Sequence, residues 1–312
     1  MNLVWTIQAI KASAKEEKKE KKEKKKDEPG QAVYTEGCHT VARGQRRTFL
    51  RRLMTTVSRK ERLKDAAYTT AGSALVCAGV HLTSAPLWKK KLGHVRYSTL
   101  SRRDKLYLGE KTVASLNGVV SGGLALYAIA SGSYRGNVVT PYPRSGHWAL
   151  GFFSGFSLYD TTIMSLSAGE PIMMWIHHAL GFVGAFLMMY YRECSYFPVA
   201  FTITEFTVLP WNAMWYLSKF NVPQSSSVMR ALVICRAVAF LLVRAPIGVT
   251  TAVYAHKQTK IGIVALYKAM LRGRGINSVA GRGTVINTTA FTILNLVWAL
   301  QAVKAISKKK VQ

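Results

Sequence analysis

Acidic residues are what this 312-residue chain has least of: 15 Asp and Glu stand against 43 Lys and Arg, a formal net charge of +28. Six of those acids crowd into Glu16–Glu28, and beyond Lys111 only Asp160, Glu170, Glu193 and Glu205 remain. Charged residues make up 19% of the chain, below the roughly 25% of a soluble domain, and they fall in loops between apolar blocks. That distribution argues against a soluble globular domain. It argues against nucleic-acid binding too, because no soluble folded face is left to gather the cations. Loop cations facing anionic lipid headgroups account for the excess.

Other absences narrow the chemistry. The four cysteines (Cys38, Cys77, Cys194, Cys235) show no CxxC spacing and no disulfide framework; Cys77 and Cys235 lie in apolar runs and read as core residues. With seven histidines and no HxxxH clusters, a membrane di-iron centre is excluded. A zinc peptidase needs HExxH on a helix, and Trp175–Gly181 reads WIHHALG. The Asp-His-His-Cys of palmitoyl transferases is absent, since Ile176 and Ala179 flank the histidine pair. Gly273–Gly283 (GRGINSVAGRG) lacks the strand that precedes a phosphate loop and reads as a flexible basic loop. No metal and no resident cofactor are expected.

What is present is long apolar runs. About 20 apolar residues suffice to cross a bilayer as a helix, and the expected runs are Ala66–Trp88, Val113–Gly132, Trp148–Ala168, Pro171–Tyr191, Tyr196–Leu217, Ala231–Tyr254 and Val285–Ala305. The expected fold is all-α, a polytopic transmembrane bundle of about seven spans (six to eight), occupying residues 66–305 with a basic tail at 306–312. Orientation is not decided by loop charge, because the segment before the first run and Lys89–Lys111 are both basic yet flank that run on opposite sides.

Residues 18–65 form a charged and basic tail and linker. Glu16–Glu28 is low-complexity and too polar to fold alone. Gly37–Lys60 is rich in Arg and Thr without an acid; it reads as a basic segment docking on headgroups or as an internal mitochondrial address. Asn2–Lys15 repeats Asn295–Lys308 with nine of 14 positions identical. Residues 1–17 thus read as a copy of the C-terminal helix, from an upstream tandem unit or a mis-joined gene.

The runs carry polar residues at depth: Asp160, His177, His178, Glu205, Asn212, Arg236, Arg244 and Asn295. Ionisable groups in a membrane face the bundle interior, pair with one another and mark sites by default. Adjacent helical residues diverge by about 100°, so His177 and His178 are not expected to point at one centre. A histidine pair beside carboxylates suits general acid–base work. The bland alternative is a packing network, each bond contributing about 1 kcal/mol.

These residues also resemble a known family. Tyr159–Asp160, His177–His178, E-x4-P-x-N-x2-W at Glu205–Trp215, F-x3-R at Phe240–Arg244 and LN-x2-W at Leu294–Trp298 together resemble the TLC domain over residues 65–305. That family includes ceramide synthases, a translocation-associated protein and membrane-composition regulators. In the synthases the histidine pair serves acyl transfer from acyl-CoA to a sphingoid amine, which would give His177 and His178 catalytic roles here with Asp160 or Glu205 orienting them. The synthase motif also has acids soon after the pair, whereas here only Glu193 and Glu205 follow. The E-P-N-W and LN-x2-W elements are more similar to the non-synthase branch.

Three functions follow as expectations. The first is a bundle that binds a lipid or acyl chain among Asp160, His177, His178, Glu205, Asn212 and Arg244 and influences membrane composition. The second is a non-catalytic accessory subunit of a larger membrane complex, whose partners are other membrane-protein subunits. The third is an N-acyltransferase using acyl-CoA. Membrane lipids are the expected partners, and the endoplasmic reticulum and the mitochondrial inner membrane are the two candidate locations.

Overall fold

The computed structural model describes residues 58–309 apart from 168 and 275. The expectations for residues 1–17, for Glu16–Glu28 and for the 37–57 part of the basic segment lie outside the described residues, and with them the segments that motivate the accessory-subunit reading. The described residues hold helices and turns and no strand. In chain order these are α1 (Arg59–Leu92), α2 (His94–Thr99), α3 (Arg102–Ala130), α4 (Arg144–Ser167), α5 (Ile172–Tyr191), α6 (Tyr196–Thr202), a 3-10 turn (Ile203–Thr207), α7 (Val208–Lys219), α8 (Ser227–Ala239), a π turn (Phe240–Arg244), α9 (Ile247–Thr259), α10 (Ile263–Leu271) and α11 (Ser278–Lys309).

Local chemistry sets several boundaries. Ser101 caps α3 by accepting from the Asp104 amide at 3.0 Å, and Ser226 caps α8 through the Met229 amide at 3.3 Å; each satisfies an orphan donor of a first turn. Arg192 closes α5 in the left-handed region (φ 57°), its amide bonded to the Met188 carbonyl at 2.9 Å.

Four helical stretches are both long and apolar enough to cross a membrane: Arg102–Ala130, Ile172–Tyr191, Ser227–Thr259 and Ser278–Lys304. The runs expected as the first and third spans form α1 and α4, which have the length but more polar residues along it. The run Tyr196–Leu217, expected as one helix, is three pieces. Thr202, Thr204 and Thr207 each donate a hydroxyl hydrogen bond back to a carbonyl three or four residues earlier, which competes with the regular ladder. Pro210 has no amide to offer the Phe206 carbonyl and crowds it. Pro246 acts likewise on the next rod, where the Ala245 amide reaches back to Phe240 at 2.8 Å and the helix widens by a residue. The two irregular turns pack against each other. One carries Glu205 and the other Arg244.

At the centre, α4 packs on α1, α3 and α5, while α11 packs on α5, α6 and the π turn. The broken segment α6–α7 lies along α3. Gly118 lets it approach: a Cβ there would stand 2.8 Å from the Glu205 carbonyl oxygen. Outward-facing Leu75, Leu242 and Leu300 are 74%, 72% and 63% exposed, whereas Asn117, Asp160, His177, His178, Glu205 and Arg244 are buried. Apolar outside and polar inside is the arrangement a bilayer selects. Cys77 is buried as expected, but Cys235 faces outward.

Candidate functional site

The adjacent histidines of α5 diverge as the helical turn requires. Their rings stand 5.0 Å apart at 72°. His178 turns toward α4, its Nε2 2.8 Å from Asp160 Oδ2, both side chains buried. The contact is at ion-pair distance without the alignment of a hydrogen bond. Phe156 meets the His178 ring edge-on at 5.8 Å. His177 turns toward α11 and lies between Phe291 and Trp298, at 5.2 and 5.0 Å.

The two irregular turns supply the other half. Glu205 Oε2 accepts from Asn117 Nδ2 at 3.0 Å, and Asn117 Oδ1 accepts from Ser121 Oγ at 2.7 Å. Glu205 Oε1 lies 3.9 Å from Arg244 Nη2. Arg244 donates through Nε to Thr207 Oγ1 at 2.5 Å and through Nη1 to Asn295 Oδ1 at 3.1 Å. Its guanidinium stands 5.1 Å from the Trp298 ring centre and 5.0 Å from that of Phe240. Trp298 therefore touches His177 with one part and Arg244 with another, and joins the halves into one centre.

Several polar atoms of this centre are buried without a hydrogen-bond partner: Asp160 Oδ1, His177 Nδ1, His178 Nδ1 and Asn295 Nδ2. Each such atom costs about 1–3 kcal/mol. A cavity of about 10 Å³ adjoins the centre, with Phe153, Gly181, Phe201, Glu205, Asn287 and Phe291 in its wall; that is the threshold for a single water. Among the described residues no group of three or more His, Cys, Asp or Glu side chains is arranged to hold a metal.

Of the residues expected from the sequence, Asp160, His177, His178, Glu205 and Arg244 come together here, with Asn295. Asn212 does not face the centre; its Nδ2 donates to the Lys111 carbonyl at 3.1 Å and to Ser115 Oγ at 2.9 Å, pinning α7 to α3. Arg236 lies over the Trp211 ring at 3.4 Å, away from the group. Sequence reasoning misses Asn117, hidden in a run notable for small residues, and Glu110, which reads as the end of a basic loop. Glu110 is buried and 2.8 Å from Lys111 Nζ. A polar residue within four positions of a span end is the signal that could have found them.

The sequence model of the TLC domain family matches residues 108–304. The chain belongs to the TLC domain family. No curated protein and no solved structure gave a match. The TLC domain match runs from the second turn of α3 to near the end of α11 and thus holds every residue of the centre, while α1, which packs on α3 and α4, precedes it. With its apolar exterior, the TLC domain makes this an integral membrane protein.

Proposed function

We propose that the protein holds the polar end of a lipid or acyl chain at the His177–His178–Asp160 centre, and through that influences the lipid composition of its membrane. The supporting observation is the set of unpartnered buried polar atoms. A buried polar atom without a partner is costly, and a ligand bearing both a donor and an acceptor satisfies them. Glu205, Asn117 and Arg244 serve by fixing Trp298 beside His177. The standing cavity is too small for an alkyl chain, so the ligand enters by parting α5 from α11 at Phe291.

Gentle extraction followed by lipid mass analysis tests this. The wild-type protein is expected to carry one lipid class enriched over the bulk extract, and His177→Ala/His178→Ala to lose most of that enrichment at unchanged monodispersity. Equal lipid profiles in the two proteins would sink the proposal.

One observation favours a second reading. A carboxylate beside an imidazole, as in Asp160–His178, is how a general base is oriented. On that reading His178 takes the proton of an acceptor amine as the N–C bond to the acyl carbon forms and the thioester C–S bond of acyl-CoA breaks. The proton passes to the departing thiolate. The same double variant then abolishes an acyl-CoA-dependent amide product, whereas unchanged product would exclude the role.

A further inference from the structure

A line of polar side chains runs from one end of the bundle to the buried centre, and the lipid site does not use it. It begins at the α4–α5 connection. Glu170 accepts from Arg103 and from the Tyr107 hydroxyl, both on the first turns of α3; Tyr107 also meets Ser167 Oγ at 3.3 Å. One turn deeper, Lys111 Nζ lies 5.1 Å from the Tyr107 ring centre and 2.8 Å from Glu110 Oε2. A Cβ at Gly109, next to Glu110, would stand 2.8 Å from the His81 ring, and His81 in turn meets the hydroxyl of Tyr159, the neighbour of Asp160. Side-chain exposure is 50% at Arg103, 13–15% at Glu170 and Lys111, and 3–7% at Glu110, Asp160 and His178. Toward the other end of α4, apolar Leu150, Phe153 and Phe156 alternate with buried Ser154, which meets Thr70 Oγ1 at 3.2 Å, and His147, which meets Thr69 Oγ1 at 3.2 Å.

Nothing in helix packing calls for this arrangement. A charged Lys–Glu pair inside a span is costly and faces a water-filled or ion-conducting interior by default. We infer that the Tyr107–Lys111–Glu110 line is a route by which water and protons reach the Asp160–His178 pair from the α4–α5 connection, with the Arg103–Glu170–Tyr107 contacts as its closed latch. His81, whose Nδ1 is 2.5 Å from the Tyr159 hydroxyl, stands on its α1 side, and the His177 ring lies 5.0 Å from that of His178 on α5. The route serves the site proposed above but rests on different residues.

Thiol labelling in sealed vesicles tests it. In a background with the four native cysteines replaced by serine, Lys111→Cys is treated with a membrane-impermeant methanethiosulfonate, with Ser98→Cys and Ser133→Cys reporting access to the two ends of α3. Ser154→Cys, at a fully buried position toward the other end of α4, is the control for background reactivity. Lys111→Cys is expected to label only from the Ser98 side, and at least tenfold faster once Glu170→Ala or Tyr107→Phe releases the latch, while Ser154→Cys stays inert. An unchanged rate in both latch variants, or labelling of Ser154→Cys at a similar rate, would overturn the inference. The readout is thiol modification, so it stands or falls separately from lipid retention.

Discussion

Arg244→Leu is expected to destabilise the folded protein by about 3–5 kcal/mol, because it leaves the Glu205 carboxylate buried without its counter-charge. The pair stands at 3.9 Å, with both side chains 7% exposed. Glu205 would keep its bond from Asn117 at 3.0 Å, but one hydrogen bond to a charged group contributes about 1.5–3 kcal/mol and does not offset the whole cost of a buried charge. The double variant Glu205→Leu/Arg244→Leu is expected to recover most of the loss, since replacing both members of a buried pair is often close to neutral. Thermal unfolding in detergent, run as a four-protein cycle, measures this. Additive losses would show that the two turns are not coupled through this pair.

The second large effect is expected at Gly155. A Cβ added there would lie 2.6 Å from the Thr70 carbonyl oxygen and 2.7 Å from the Ala74 amide nitrogen, both main-chain atoms of α1. Neither can turn aside as a side-chain tip does, so α1 must move off α4. Overpacking costs about 1–3 kcal/mol and occasionally more; Gly155→Leu is expected to lie above that range and to remove the folded, monodisperse species in size-exclusion chromatography. Gly79→Leu serves as the control, because nothing lies within 4 Å of its added Cβ. Comparable losses in both variants would mean that the α1–α4 crossing is not the cause.

Much of this was legible in the residues. Helical spacing alone separates His177 from His178, and the rings do part, one toward Asp160 and one toward Trp298. The apolar runs mark the helices because burial and bilayer contact ask for the same side chains. The breaks are harder to read. Tyr196–Leu217 reads as one apolar run despite Glu205 and Asn212, and hydropathy is blind to threonine hydroxyls and to a proline missing one amide. Pro210 and Pro246 are plain in the sequence, yet a proline inside a membrane helix is tolerated often enough that neither compels a break. Those breaks carry Glu205 and Arg244, so the centre follows from the irregular backbone. Asn212 shows the converse: it sits in the family-like pattern, but its amide is spent on α3. Which polar residue in a span turns inward to a shared centre depends on helix rotation, and that is settled by packing of the whole bundle.

If the unpartnered atoms around His177 and His178 receive a lipid's polar end between α5 and α11, a photoreactive group placed beside the polar end of a fatty acyl probe reports it, with the adducts mapped by mass spectrometry. Adducts are expected on the peptides containing His177–His178 and Phe291–Trp298, and are expected to disappear when an excess of the unlabelled lipid competes. Adducts confined to outward-facing residues such as Leu242 and Leu300, unaffected by competitor, would contradict that placement.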